Sequence, residues 1–171
     1  MENNLVLLDF PEMVKTYDYD GGAKAIQAVL TYYNIDERED RIMKLAGTTE
    51  IGTPILGIKK TANKHKLRCK IMEMKIKDIK EFIDRMVPVI LLVQKGRKKT
   101  WKNGYYTVAI GYDSERIYFE DPSSVKRTYL TFSELKERWH DEDTDGKRYF
   151  HPGIIVLGNK LKRTKKYIKM G

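Results

Sequence analysis

Apolar residues recur at every third or fourth position in several segments of the first half of the chain, which is the spacing typical of amphipathic helices. The pattern predicts helices over residues 22–34, from 36 to 47, from the Thr53-Pro54 pair to about 66, and over 76–86. The Thr-Pro pair is a favourable cap and first-turn combination, and Gly47 is a favourable helix end. The first half is therefore predominantly helical.

Alternating or continuous apolar runs dominate the second half and predict strands. The predicted strands cover residues 4–8, 67–74, 88–94, 105–113, 115–120, 127–130 and 153–157, with a short helix after Thr131. Cys69 falls within the alternating pattern and is expected to be a core thiol. Helices followed by mainly antiparallel strands place the chain in the α+β class.

A length of 171 residues fits one domain, predicted over residues 1–158, followed by a basic tail over 159–171. No apolar run is long enough to span a membrane, and the amino terminus lacks the basic start of a signal peptide. The single cysteine excludes an internal disulfide and favours a reducing, cytoplasmic location.

Positive charge is concentrated in two places of this chain, whose formal net charge is +9. One is the tail, and the other is a cluster between two predicted strands: Lys95, Arg97, Lys98, Lys99 and Lys102. Such segments can bind nucleic acid or an anionic surface. A plainly solvated end is the simpler interpretation of the tail and is favoured here.

Metal and cofactor signals are weak. The segment from Asp141 to Gly146 imitates the first half of a calcium loop, but Pro152 stands where the bidentate glutamate is required, which excludes an EF-hand. The sequence contains neither a Cys/His cluster for zinc nor a phosphate loop, so we expect no metal and no cofactor. The Gly21-Gly22 pair at a helix start could expose N–H groups to a small anion.

Three motifs in fixed order carry more information. They are the opening segment over residues 15–27, the strand from Gly104 to Asp113, and the segment from Ile117 to Ser124, which contains an Asp-Pro pair. Together they resemble the bacteriocin-processing double-glycine leader peptidases, a papain-like cysteine peptidase family, over roughly residues 8–158. The resemblance implies a papain-like fold with N-terminal helices packed on a C-terminal antiparallel sheet.

By this resemblance, four positions correspond to the family's catalytic site, but only one keeps its residue. Lys15 stands in place of the oxyanion-hole Gln, Gly21 in place of the nucleophilic Cys, and Tyr105 in place of the His, while Asp121 matches the family's Asp. The mechanism needs a thiolate, which a helix N-terminus stabilises, and an imidazole that activates it. We therefore expect no peptide cleavage by this mechanism.

Other residues do not obviously replace the missing groups. Cys69 and all three histidines lie outside the segments that supply the family's catalytic residues. Asp18 and Asp20 could form a carboxylate pair near the old site, but turn and helix-capping roles are favoured for both. A hydrogen bond between Tyr105 and Asp121 is expected as a structural substitute for the His–Asp contact.

The resulting hypothesis is a pseudo-peptidase that binds a peptide or protein segment in the former substrate groove. The residues expected to contact the peptide are Tyr17, Tyr19, Gly22, Trp101, Gly104 and Tyr106. A transporter or processing protein is the expected partner, since the sequence has no transporter segment. Two alternatives stay open: binding of nucleic acid or an anionic surface through the basic segments, and a residual hydrolase that uses Asp121 and water.

Overall fold

The computed structural model describes residues 4–96, 100–158 and 169–170, so almost all of the basic tail and the centre of the basic cluster lie outside the described residues. Within these residues the chain forms five helices. They are α1 (Gly21–Tyr32), α2 (Glu39–Ala46), α3 (Ile55–Lys64), α4 (Ile76–Asp84) and α5 (Phe132–Arg138). None of the helices among these residues is both long enough and apolar enough to cross a membrane.

Nine strands accompany the helices in the described part of the chain. They are β1 (Val6–Leu7), β2 (Arg68–Glu73), β3 (Val89–Gln94), β4 (Gly104–Tyr112), β5 (Arg116–Glu120), β6 (Thr128–Thr131), β7 (His140–Glu142), β8 (Arg148–Phe150) and β9 (Pro152–Leu157). Seven form one antiparallel sheet in the order β2-β9-β3-β4-β5-β6, with β1 paired to β4. Strands β7 and β8 form a separate hairpin.

The core lies between this sheet and the helices. Every residue of β3 is buried, as expected for a central strand covered on both faces. Helix α1 is also deeply buried and carries three buried alanines, whose small side chains allow close packing. The amphipathic helix α4 buries its isoleucines against the sheet.

The α+β class and the papain-like arrangement predicted from the sequence are confirmed. The separation into helices and sheet is less strict than expected, because β1 and β2 come from the N-terminal half and join the large sheet. The β7–β8 hairpin was not predicted.

Thr53 does not cap α3, since its hydroxyl pairs with that of Thr48 at 2.8 Å. The Ile55 N–H instead donates to the carboxylate of Asp143.

Two adjacent glycines at the start of α1 have different surroundings. A Cβ added at Gly22 would lie 2.6 Å from the Thr53 Cβ and 2.8 Å from the Tyr106 ring, whereas one added at Gly21 would meet only Pro122, at 3.7 Å. The α1 helix can therefore approach β4 this closely only with glycine at position 22.

Gly21 and Gly22 therefore allow a matched pair of alanine variants. We expect Gly22→Ala to lower the free energy of unfolding by about 1–3 kcal/mol, because the added methyl group overlaps packed atoms. Gly21→Ala should change it by less than about 1 kcal/mol, since the space is open and alanine favours helix. Urea unfolding of both variants measures the difference, and equal values would contradict the close approach at Gly22.

Candidate functional site

A cavity of about 360 Å³ opens where the N-terminus of α1 meets the sheet. Most of its lining comes from four segments: residues 15–22, the loop 50–53 before α3, the start of β4 at 104–106, and residues 141–144 after β7 begins. We call this cavity the cleft. It is the place where the opening motif and the second-strand motif come together.

Three of the four catalytic positions identified by resemblance line the cleft: Lys15, Gly21 and Tyr105. The fourth, Asp121, is buried behind them, and the Tyr105 hydroxyl donates to its Oδ2 at 3.4 Å. The expected Tyr–Asp contact is thus present, although it is long for a hydrogen bond. The Oδ1 atom of Asp121 accepts a shorter bond from the Ser123 N–H, at 2.8 Å.

Of the six residues expected to contact a peptide, four line the cleft: Tyr19, Gly22, Gly104 and Tyr106. The other two lie outside the lining. The ring of Tyr17 stacks on that of Tyr19, with centroids 5.3 Å apart. Trp101 packs against the ring of His140, at 4.6 Å.

The N-terminus of α1 faces the cleft without a side-chain cap and without an acidic residue in its first turn. The carboxylate of Asp20 accepts instead from the N–H groups of Thr16 and Tyr17, at 2.8 and 3.1 Å. Asp20 thus occupies the N-cap position of α1, but its side chain bonds to the preceding turn and not to the helix. Asp18 is fully exposed and pairs with Lys15 at 3.3 Å. The first turn of α1 thus presents polar N–H groups to the cleft.

Tyr105 is unsuited to replace the imidazole. Burial, reinforced by the negative charge of Asp121, raises the pKa of its hydroxyl to about 12. A group with such a pKa stays protonated at neutral pH and cannot accept a proton there. In this arrangement the phenol acts as a hydrogen-bond donor toward Asp121.

No cysteine or histidine is found among the described residues that line the cleft. Cys69 lies on β2, and burial raises the pKa of its thiol to about 11, which keeps it protonated and unreactive. His65, His140 and His151 also lie outside the lining. The described walls therefore bring together neither a thiolate nor an imidazole.

The cleft wall contains a buried carboxyl group, that of Asp141, which the sequence did not predict. Burial raises the pKa of Asp141 to about 6, although Gln94 and the backbone N–H groups of Glu142 and Gly104 hydrogen-bond to it. Gly104 is required beside it, because an added Cβ would overlap the carboxylate. The sequence shows Asp141 only as part of an acidic loop, and nothing there indicates that it is buried.

Gln94 fixes the base of this wall through all of its side-chain hydrogen-bonding groups. It is completely buried, and its Nε2 donates to the His140 carbonyl and to Asp141, both at 2.8 Å. Its Oε1 accepts from the Thr100 hydroxyl at 2.9 Å and from the Asn103 N–H at 3.1 Å. This one amide ties the β3–β4 connection to β7.

Comparison with known proteins identifies the family of this chain. A model of the peptidase C39 family matches residues 10–142. No curated protein sequence matches the chain. The peptidase domain of Streptococcus ComA, a bi-functional ABC transporter, is a similar solved structure with 21% identity and a TM-score of 0.69; the match covers 86% of this chain and 97% of that one.

Two further solved structures show the same fold. One is a double glycine motif protease from an AMS/PCAT transporter in complex with the leader peptide, with 17% identity, a TM-score of 0.70, and coverage of 90% of this chain and 94% of that one. The other is a putative C39-like peptidase from Bacillus anthracis, with 13% identity, a TM-score of 0.69, and coverage of 93% and 100%. The family resemblance inferred from the motifs is confirmed. The chain belongs to the peptidase C39 family.

Proposed function

We propose that this chain binds a peptide or protein segment in the cleft and does not cleave it. The observation that carries the proposal is the composition of the cleft at the family's catalytic positions. Gly21 and Tyr105, which stand at the nucleophile and base positions by resemblance, line the same cavity. Glycine has no nucleophilic side chain, and a tyrosine whose pKa is raised to about 12 is not a base at neutral pH. Binding a peptide without cleaving it is the simplest function for such a cleft.

The backbone of β4 supports the binding role. Strand β5 pairs with β4 from Val108 onward, whereas β3 pairs with it from Gly104 onward, so the start of β4 has a ladder partner only on the β3 side among the described residues. The Gly104 N–H is already bonded to the Asp141 carboxylate, so a peptide lying extended along this edge would pair with its remaining main-chain groups. This edge borders the cleft at residues 104–106.

The N-terminus of α1 supplies a second anchoring point. Its first N–H groups and the positive end of the helix dipole favour a carbonyl or carboxylate oxygen of the bound segment. Gly21 leaves this end without a covering side chain, and a Cβ added there would meet only Pro122, at 3.7 Å. A peptide backbone can therefore approach the helix end closely.

The similar structures suggest the class of peptide. One of them is a double glycine motif protease bound to a leader peptide, and another is the peptidase domain of a transporter. We propose a leader peptide with a double glycine as the ligand of this chain, with a transporter or processing protein as the partner that presents or receives it.

Binding of a fluorescently labelled double-glycine leader peptide tests this proposal by anisotropy. We expect saturable binding to the wild-type chain at both about 50 mM and about 200 mM salt, with the peptide intact afterwards. Contacts with the phosphates of nucleic acid would weaken about a thousandfold or more over that range. Loss of peptide binding at the higher salt would therefore contradict groove recognition and favour the basic segments.

Position 21 again provides the matched control. Gly21→Trp places a large side chain at the uncovered helix end and should weaken peptide binding at least about tenfold, or about 1.4 kcal/mol. Gly21→Ala adds only one methyl group and should weaken binding much less than Gly21→Trp. If Gly21→Trp is folded and binds the peptide normally, the ligand does not occupy this part of the cleft.

Restoring the catalytic groups tests the reason for inactivity. The triple variant Lys15→Gln, Gly21→Cys and Tyr105→His places the family's residues around the retained Asp121. We expect it to cleave the leader peptide after the double glycine, because a helix N-terminus and a nearby imidazole activate a thiol. The single variant Gly21→Cys should lack this activity, since it has no base. Mass spectrometry of the peptide measures cleavage.

The outcome separates two parts of the proposal. A triple variant that binds the peptide but leaves it intact would contradict the assignment of Lys15, Gly21 and Tyr105 to the family's catalytic positions. Cleavage of the peptide by the wild-type chain itself would contradict the proposed loss of catalysis.

A further inference from the structure

The loop of residues 15–20 lines the cleft through Lys15, Asp18 and Tyr19, and we call it the entry loop. Two carboxyl groups hold this loop. One of them is Asp20, which is completely buried at the end of this loop. Through Oδ2 it accepts the N–H groups of two loop residues, as described above. The position of Asp20 therefore determines the shape of the entry loop.

The other carboxyl group belongs to Glu39, the first residue of α2. Its Oε2 accepts from the Lys24 ammonium at 2.7 Å and from the Thr16 hydroxyl at 3.0 Å. Thr16 thus joins the two acids, because its N–H bonds to Asp20 and its hydroxyl bonds to Glu39. The side chains of Glu39 and Lys24 are only 17% and 16% exposed.

Each acid has a second oxygen that is buried and has no donor among the described residues: Oδ1 of Asp20 and Oε1 of Glu39. Burial, followed by the contact with the Asp20 carboxyl group, raises the pKa of Glu39, and Lys24 and Thr16 only partly oppose this. Buried acceptors without donors cost free energy, and two ionised carboxylates in contact repel each other. A single proton on the pair removes both penalties.

The charge balance agrees with one proton. The charged groups that face Glu39 are Asp20, from the end of the entry loop, and Lys24, from α1. With both acids ionised, this cluster carries two negative charges and one positive charge. With one acid protonated it is neutral, as a buried group of charges should be.

We propose that Asp20 and Glu39 share one proton, held on Oε1 of Glu39 and donated to Oδ1 of Asp20, and that this proton couples the shape of the entry loop to pH. When the pair loses its proton to water, the hydrogen bond is lost and the two carboxylates repel. The loop wall of the cleft then loosens and peptide affinity falls. The effect on affinity rests on the proposed function, whereas the shared proton does not.

The direction of the pH effect follows from linkage. The folded state raises the pKa of Glu39, so the contribution of the proton to stability is complete below the ordinary glutamate range. It is lost as pH rises through the raised value. Each unit of difference between the folded and unfolded pKa changes the folding equilibrium tenfold across the titration.

Carboxyl ¹³C NMR of the full chain tests the proton directly. We expect the side-chain carboxyl of Glu39 to titrate above the ordinary glutamate range, and unfolding measurements to show that stability falls as pH rises through this titration. Glu39→Gln and Asp20→Asn each place an amide N–H between the two residues and so imitate the protonated pair. Both variants should lose this pH dependence. Asp40→Asn, an exposed change on the same helix, should keep it.

Three results would overturn the inference. Titration of Glu39 within the ordinary glutamate range excludes the shared proton, and so does a wild-type pH profile in both amide variants. A peptide affinity that stays constant while stability changes with pH excludes the coupling to the cleft. If the proton is observed but the leader peptide binds at no pH, the proposed function fails and the shared proton stands.

Discussion

The arrangement of the cleft depends on the close approach of α1 to the sheet at Gly22. There the helix backbone lies against Thr53 and the ring of Tyr106, with no room for a side chain at position 22. The Tyr106 hydroxyl donates to the Thr53 carbonyl at 2.7 Å, which joins β4 to the loop before α3. Because these elements meet here, the helix end at Gly21 and the start of β4 at Tyr105 face the same cavity.

Other parts of the cleft wall are held by buried or half-buried polar groups that hydrogen-bond to residues far away in the chain. Gln94 connects the β3–β4 connection to β7, and Asp143 accepts from the first N–H of α3. Buried polar groups stabilise a unique arrangement only when their hydrogen bonds are made. None of these contacts uses the side chains of Lys15, Gly21 or Tyr105, so the shape of the cleft does not depend on the residue types at these positions. The residues that shape the cleft are thus distinct from those at the catalytic positions, which supports the proposed binding role.

The sequence predicted much of the fold because its main signals are local. The helical spacing around Ile79 and the continuous apolar run of β3 report burial directly. The positions of Gly21 and Tyr105 in one cleft followed from the motif resemblance. Three sets of contacts could not be predicted, because each joins residues far apart in sequence. They are the hydrogen bonds of Gln94, the bond from the first N–H of α3 to Asp143, and the Asp20–Glu39 pair. The Asp143 contact with α3, for example, spans 88 positions. Local patterns hold no information on such pairings.

Mapping of a bound leader peptide by amide chemical shifts tests the central claim most directly. The ¹⁵N-labelled wild-type chain would be titrated with the unlabelled double-glycine peptide. The account predicts that the largest shift changes cluster at residues 15–22, 50–53, 104–106 and 141–144, the segments that line the cleft, while the peptide stays intact. Changes confined to the basic tail, or to the sheet edges away from the cleft, would contradict it.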